Sequence, residues 1–269
     1  MAFSLRGNNM LVGKTALVTG STSGIGNAMA AKLAEAGANI VLHGLMDALE
    51  GEALRQEFEN RYGIECLFSN ADISNAAGNE QLVADALKKF GQVDILINNA
   101  GIQYTASVED FPVAKWDSII AINLSSAFHT TRLLVPGMQK RGWGRIINIA
   151  SVHGLVASLQ KAAYVAAKHG IVGLTKVVAL ENAEKGITVN AICPGWVDTE
   201  LVAGQFQAAA DRDGVSFEEG KRRVIIDKQP MPQATQPSSL GELALFLCSE
   251  AAGTMTGSSL PIDGGWTAQ

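Results

Sequence analysis

TALVTGSTSGIG, residues 15–26, decides the fold. The run TALVT (15–19) is short and apolar, as befits a strand buried on both faces. It enters the pattern TGxxxGxG, and residues 25–36 then follow helical spacing up to Gly37. Three glycines between a strand and a helix let the backbone approach a pyrophosphate closely. The helix N-terminus adds free N–H donors and a partial positive charge. Gly20, Thr22, Ser23, Gly24, Ile25 and Gly26 therefore form a candidate cradle for a dinucleotide.

Outward from this turn the pattern repeats. Strands are expected at 39–42 (NIVL), 65–68, 93–97 (VDILI), 145–150 (RIINIA), 188–192 (TVNAI) and 258–262. Helical stretches are expected at 48–62, 80–90, 112–140 and 161–185. Continuous apolar strands alternating with helices predict an α/β architecture, a doubly wound parallel sheet of about seven strands. No linker or repeat divides the chain, so a single domain over 1–269 is expected, with MAFSLRGNN (1–9) as a polar extension. Residues 197–238, polar and alanine-rich with a QPMPQATQP run, form the least regular part. Placed after a late strand, they fall at the carboxyl edge of the sheet, where a small substrate lid is expected.

Composition narrows the classes. Of the 269 residues 47% are apolar, ample for a core and incompatible with disorder. A net charge of −5 leaves no basic footprint for nucleic acid or an anionic membrane. Only 17% of residues are charged, which points to buried subunit contacts. No apolar run reaches the roughly 18 residues of a membrane span, and the N-terminus lacks a secretory apolar centre. A cytoplasmic location is expected. The three cysteines, Cys66, Cys193 and Cys248, are far apart, which predicts buried thiols rather than a disulfide framework or a metal site.

Tyr164 and Lys168 lie four residues apart, on one face of a helix. A free phenol titrates near 10, and a neighbouring ammonium favours its phenolate. Ser151, at the end of the fifth strand, can donate a hydrogen bond to a carbonyl oxygen while the phenol supplies the proton. Cofactor selectivity is less legible. The second strand ends Leu42-His43-Gly44-Leu45, with neither an acid for a ribose 2′-hydroxyl nor an arginine for a 2′-phosphate, and Asp47 lies too far along. NAD and NADP both remain open on these residues. Asp72 suits an adenine contact or, equally, an Asx-turn or N-cap role. His43, His129 and His169 read as structural.

TGSTSGIG (19–26), NNAG (98–101), Asn123, Ser151, YVAAK (164–168) and PGWVDT (194–199) together resemble the short-chain dehydrogenase/reductase family over essentially the whole chain. The resemblance implies a Rossmann-like sheet, a nicotinamide cofactor and a homotetramer. It implies Ser151, Tyr164 and Lys168 as catalytic residues, with Asn123 holding a water that links Lys168 to solvent. It implies cofactor contacts at Asn99, Ala100 and Gly101, at Pro194, Gly195, Val197 and Thr199, and at Tyr164 and Lys168. The stretches 101–112, 147–158, 160–170, 190–202 and 263–269 are similar to family members that interconvert (R)-3-hydroxybutyrate and acetoacetate with NAD. That likeness assigns substrate binding to Gln103, His153, Lys161 and Gln205, beside Ser151 and Tyr164, with Trp196 and Trp266 as the apolar wall. Two other functions compete: an NADP-dependent reductase of another 3-oxo or sugar substrate, and a non-catalytic dinucleotide sensor. The intact Ser151, Tyr164 and Lys168 speak against the sensor.

Overall fold

The computed structural model describes residues 9–268, so the expected extension at 1–9 lies, except for Asn9, outside the described residues. Seven strands form one parallel sheet: β1 Thr15–Val18, β2 Asn39–His43, β3 Cys66–Ser69, β4 Ile95–Asn98, β5 Gly144–Ile149, β6 Ile187–Pro194 and β7 Ser259–Ile262. Their order is β3-β2-β1-β4-β5-β6-β7. The chain crosses over between β1 and β4, which opens a crevice at their carboxyl ends.

Register explains the layers. Leu17 pairs with Val41 on one side and Leu96 on the other; Leu96 pairs with Ile146, and Ile146 with Val189. This row faces helices α3 (Ala76–Phe90), α5 (Ser126–Arg141) and α6 (Ala162–Asn182) through Leu82, Leu134, Met138 and Val178. The alternate row (Ala16, Val18, Ile40, Leu42, Ile95, Ile97) faces α1 (Gly24–Glu35), α2 (Ala48–Tyr62) and α9 (Pro237–Cys248) through Met29, Leu33, Phe58, Leu240 and Leu247. Period-two side chains thus build two apolar layers, one on each face of the sheet.

Three elements depart from the sequence reading. The long helix expected at 112–140 is broken: α4 (Val113–Ile120) runs into a π-helical turn, Ala121–Ser125, and then into α5. The wider turn carries Asn123. Helix α3 begins four residues before its expected start, because the Asn75 side chain accepts the Gly78 N–H at 2.9 Å and caps it. Residues 197–238, expected to be irregular, are largely helical, with α7 (Glu200–Asp213) and α8 (Phe217–Ile226) preceding α9. α6 and its short extension (Ala162–Lys185) are long and apolar enough to cross a membrane by length and composition. In this fold its apolar face packs against the sheet through Ile171, Val172 and Val178.

Candidate active site

The glycine turn meets its requirements in the backbone. Gly20 and Gly24 have φ of +62° and +55°, where a side chain is strained. A Cβ on Gly26 would lie 2.2 Å from the Gly20 carbonyl oxygen, and one on Gly20 would lie 2.9 Å from the Ala100 Cα. The turn is bolted to the end of β4. Thr19 Oγ1 accepts the N–H groups of Asn99 and Ala100 at 3.0 and 3.1 Å, while Asn99 Nδ2 donates to the carbonyls of Thr19 and Gly20 at 2.9 Å. Ser23 stands at the N-cap of α1 without capping it, so its hydroxyl and the first N–H groups of the helix face the crevice. This arrangement fits a pyrophosphate.

His43, read from the sequence as structural, braces the glycine turn. It is buried at the end of β2 and lines the crevice. Its Nδ1 accepts the Gly20 N–H at 3.2 Å, and its Nε2 lies 2.9 Å from the Ala71 carbonyl. The backbone adds a mutual pair with Ser21: the Ser21 N–H donates to the His43 carbonyl at 2.8 Å, and the His43 N–H to Ser21 Oγ at 2.9 Å. Burial pushes the imidazole below its ordinary value, so it stays neutral and Nδ1 stays an acceptor. The partners are backbone groups, so only the position of His43 one residue before Gly44 could have signalled the role. Asp72 takes the Asx-turn role: its carboxylate accepts the Ser74 N–H at 2.9 Å, which lowers its pKa, and the residue also lines the crevice.

The glycine turn, His43, Asp72 and the ends of β4, β5 and β6 line one cavity of about 680 Å³. Every site residue expected from the sequence lines it except Asn123. The buried Asn123 side chain clamps the Ile102 peptide instead, accepting its N–H and donating to its carbonyl, both at 2.9 Å. It therefore shapes the loop that carries Gln103 rather than the cavity wall.

Tyr164 and Lys168 project from α6 into the cavity, as their spacing predicts. Ser151, just beyond β5, stands beside the phenol in the same cavity. Burial pushes the Tyr164 phenol up, and the Ser151 hydroxyl pulls it down. The upward direction is opposite to the lowering expected from Lys168. The reason is geometric: Lys168 Nζ donates to the Ile149 carbonyl at 2.6 Å and lies 5.5 Å from the Tyr164 ring centroid. Its own desolvation brings its ammonium down to about 8.

Beside this pair stands an aromatic wall. The Trp266 ring lies 5.6 Å from His153 and 6.0 Å from Trp196, and His153 lies 5.9 Å from Tyr164. Lys161 Nζ sits 5.9 Å from the Trp196 ring, and burial lowers its pKa. Burial and the Lys161 charge push His153 down to about 4. Gln103 and Gln205 complete the lining. Residues 196–198 are pinned to Thr235 by two backbone bonds, Thr235 N–H to the Trp196 carbonyl at 2.8 Å and Asp198 N–H to the Thr235 carbonyl at 2.9 Å. Lys221 of α8 pairs with Asp198 at 2.8 Å. The cysteines are free, buried and pushed up to about 12, 11 and 12 for Cys66, Cys193 and Cys248, which keeps them protonated. Among the described residues no cluster of metal-ligating side chains occurs.

Known proteins resemble this chain in sequence and in fold. The family model for short chain dehydrogenase matches residues 14–210. A D-beta-hydroxybutyrate dehydrogenase from Cupriavidus necator is 57% identical over 97% of this chain and all of its own length. Another, from Rhizobium meliloti, is 50% identical over 95% of this chain and 99% of its own. Among solved structures, L-sorbose reductase from Gluconobacter frateurii, complexed with NADPH and L-sorbose, superposes with a TM-score of 0.92 at 29% identity, covering 97% of this chain and 99% of that one. Like these proteins in sequence over nearly its whole length and in fold, the chain belongs to the short-chain dehydrogenase family, oxidoreductases that work with a nicotinamide dinucleotide.

Proposed function

We propose that the protein interconverts (R)-3-hydroxybutyrate and acetoacetate with NAD. The observation that carries this reading is one half-buried ammonium, Lys161, placed with neutral His153 and two indoles beside Ser151 and Tyr164. A short acid needs just such a site: a cation for the carboxylate, apolar walls for a methyl group, and a hydroxyl pair at the carbon between. The two hydroxybutyrate dehydrogenases at 57% and 50% identity support the same substrate.

A bound nicotinamide dinucleotide supplies the hydride acceptor for the alcohol carbon. Gly20, Gly24 and Gly26 with the start of α1 hold its pyrophosphate, and Tyr164 and Lys168 its nicotinamide ribose. Lys161, Gln103 and Gln205 hold the substrate carboxylate, with the neutral His153 ring beside them. Ser151 donates to the 3-oxygen, and Tyr164 takes the proton from the 3-hydroxyl as a general base. Lys168, fixed on the Ile149 carbonyl, supplies positive charge beneath the phenol. Helices α7 and α8 act as the lid, which excludes water when closed.

The preference for NAD rests on what surrounds the end of β2. The only lysines lining the crevice are Lys161 and Lys168, at its far end, and no arginine lines it among the described residues. A 2′-phosphate would be buried there without a counter-charge. Assembly into a homotetramer is supported by apolar side chains left exposed on α5, α6 and α9: Phe128, Val177, Leu180 and Phe246. Initial rates with NAD and NADP on (R)- and (S)-3-hydroxybutyrate test the reading. NAD with the (R) acid should exceed every other pair by at least tenfold; preference for NADP, or for larger ketones or sugars, would overturn it.

A further inference from the structure

Ser158 lies on the loop between the turn after β5 and the start of α6, half-buried, and nothing in the mechanism above uses it. Its hydroxyl oxygen is 2.8 Å from His153 Nε2. The other ring nitrogen, Nδ1, is 3.3 Å from Ser151 Oγ, and Ser151 Oγ also accepts the His153 backbone N–H at 3.2 Å. Ser151 stands in turn beside the Tyr164 phenol in the same cavity. A hydrogen-bonded chain thus runs from the Ser158 hydroxyl through an imidazole to a second hydroxyl, Ser151, next to the phenol.

We propose that Ser158 is a positioning residue for the proton-transferring pair: its hydroxyl donates to His153 Nε2, fixes the imidazole as the Nδ1–H tautomer, and frees the Ser151 proton, for the Tyr164 oxygen before substrate arrives and for the substrate 3-oxygen once it is bound. The inference rests on the reading of Tyr164 as the general base. Proton counting carries it. A neutral imidazole has one N–H and one acceptor nitrogen, and a hydroxyl has one proton. If Nε2 held the proton, Nδ1 would need one from Ser151. Ser151 would then turn only lone pairs toward the phenolate, and the bond between them would be lost. With Nδ1–H, Ser151 accepts from the ring and from the backbone, and its own proton points to Tyr164.

The groups facing this chain favour a neutral ring. Burial first, and then the positive charge of Lys161, disfavour a protonated His153. The rings of Tyr164 and Trp266 meet the imidazole edge to face. On the phenol side the charged neighbour is Lys168, itself beside the protonated Cys193 thiol. The chain's polarity is set at its outer end when the Ser158 hydroxyl donates to the ring. A Ser151 bond that strengthens in the phenolate lowers the pH at which Tyr164 gives up its proton.

Two measurements on the dinucleotide-bound enzyme test this. Nitrogen-15 NMR of histidine-labelled protein, with the His153 signal identified by its loss in His153→Asn, should show the Nδ1–H tautomer in wild type and a mixture in Ser158→Ala. The pH profile of kcat/KM for hydroxybutyrate oxidation should move its ascending limb up by about one pH unit in Ser158→Ala, lowering kcat/KM roughly tenfold at neutral pH. Dinucleotide KM should stay unchanged, and Ser158→Thr should restore the wild-type limb. A wild-type ring protonated at Nε2, or a Ser158→Ala enzyme with the wild-type limb, overturns the proposal. If hydroxybutyrate is not turned over at all, the substrate reading fails while the tautomer still decides the role of Ser158.

Discussion

The imidazole of His43 accepts the backbone N–H of Gly20 at 3.2 Å, tying the end of β2 to the first glycine of the dinucleotide cradle. Residue 43 occupies the place where many dinucleotide folds begin to read the adenosine ribose. Here the side chain turns inward to hold the turn in shape. His43→Ala leaves the Gly20 N–H and the Ala71 carbonyl without a partner, at a cost of about 1–3 kcal/mol. We expect dinucleotide KM to rise about tenfold or more with kcat within a few-fold of wild type. His43→Asn, whose amide oxygen can replace Nδ1, should recover part of the affinity. Equal losses in kcat and KM for both variants would remove His43 from this role.

Gly26 offers a steric counterpart. A methyl group there would sit 2.2 Å from the Gly20 oxygen and 2.5 Å from the Asn99 amide. Both neighbours are themselves fixed, so Gly26→Ala should cost about 1–3 kcal/mol. Thermal melts with and without dinucleotide check this: the variant should melt lower and lose most of the ligand-induced rise in Tm.

Acid stability follows from the buried histidines. His153 falls from 6.5 to about 4 in the folded chain, and His43 is lowered as well. The unfolded chain therefore binds more protons between these values, and unfolding becomes easier as pH falls through that window. The stability is complete above pH 6.5 and drops towards pH 4, by up to about 3 kcal/mol from His153. Denaturant titrations of wild type and His153→Gln across this range should show a shallower loss in the variant.

The sequence made the catalytic face legible because its chemistry depends on spacing. Tyr164 and Lys168 one helical turn apart, and Ser151 at a strand end, needed only the positions of β5 and α6. The cradle was legible because its glycines answer a backbone requirement that few other turns have. What stayed hidden depended on backbone partners or on packing. The grip of His43 on Gly20 and the clamp of Asn123 on Ile102 use peptide groups, which leave no mark in residue identity. The π turn at Ala121–Ser125 looks like ordinary helix in sequence. α9, with its run of leucines and alanines after Pro237, lay within and beyond a stretch that polar residues had marked as irregular.

Lys161 gives a pH-dependent test of substrate recognition. Its ammonium is the nearest cation to the indole wall, with a pKa held below 10.5 by burial. Affinity for a carboxylate should persist below that lowered pKa and fall as pH rises through it. Lys161→Ala should raise the hydroxybutyrate KM by about tenfold to a hundredfold and abolish this alkaline rise in KM. An unchanged KM would return Lys161 to the solvent.

The central claim is that the Tyr164 oxygen carries the proton while the rest of the site holds the reactants. Single-turnover oxidation of (R)-3-hydroxybutyrate by Tyr164→Phe, with dinucleotide Kd measured on the same protein, tests it most directly. Loss of turnover by about 10² to 10⁴-fold with an unchanged Kd is the expected result. Turnover within a few-fold of wild type would contradict it.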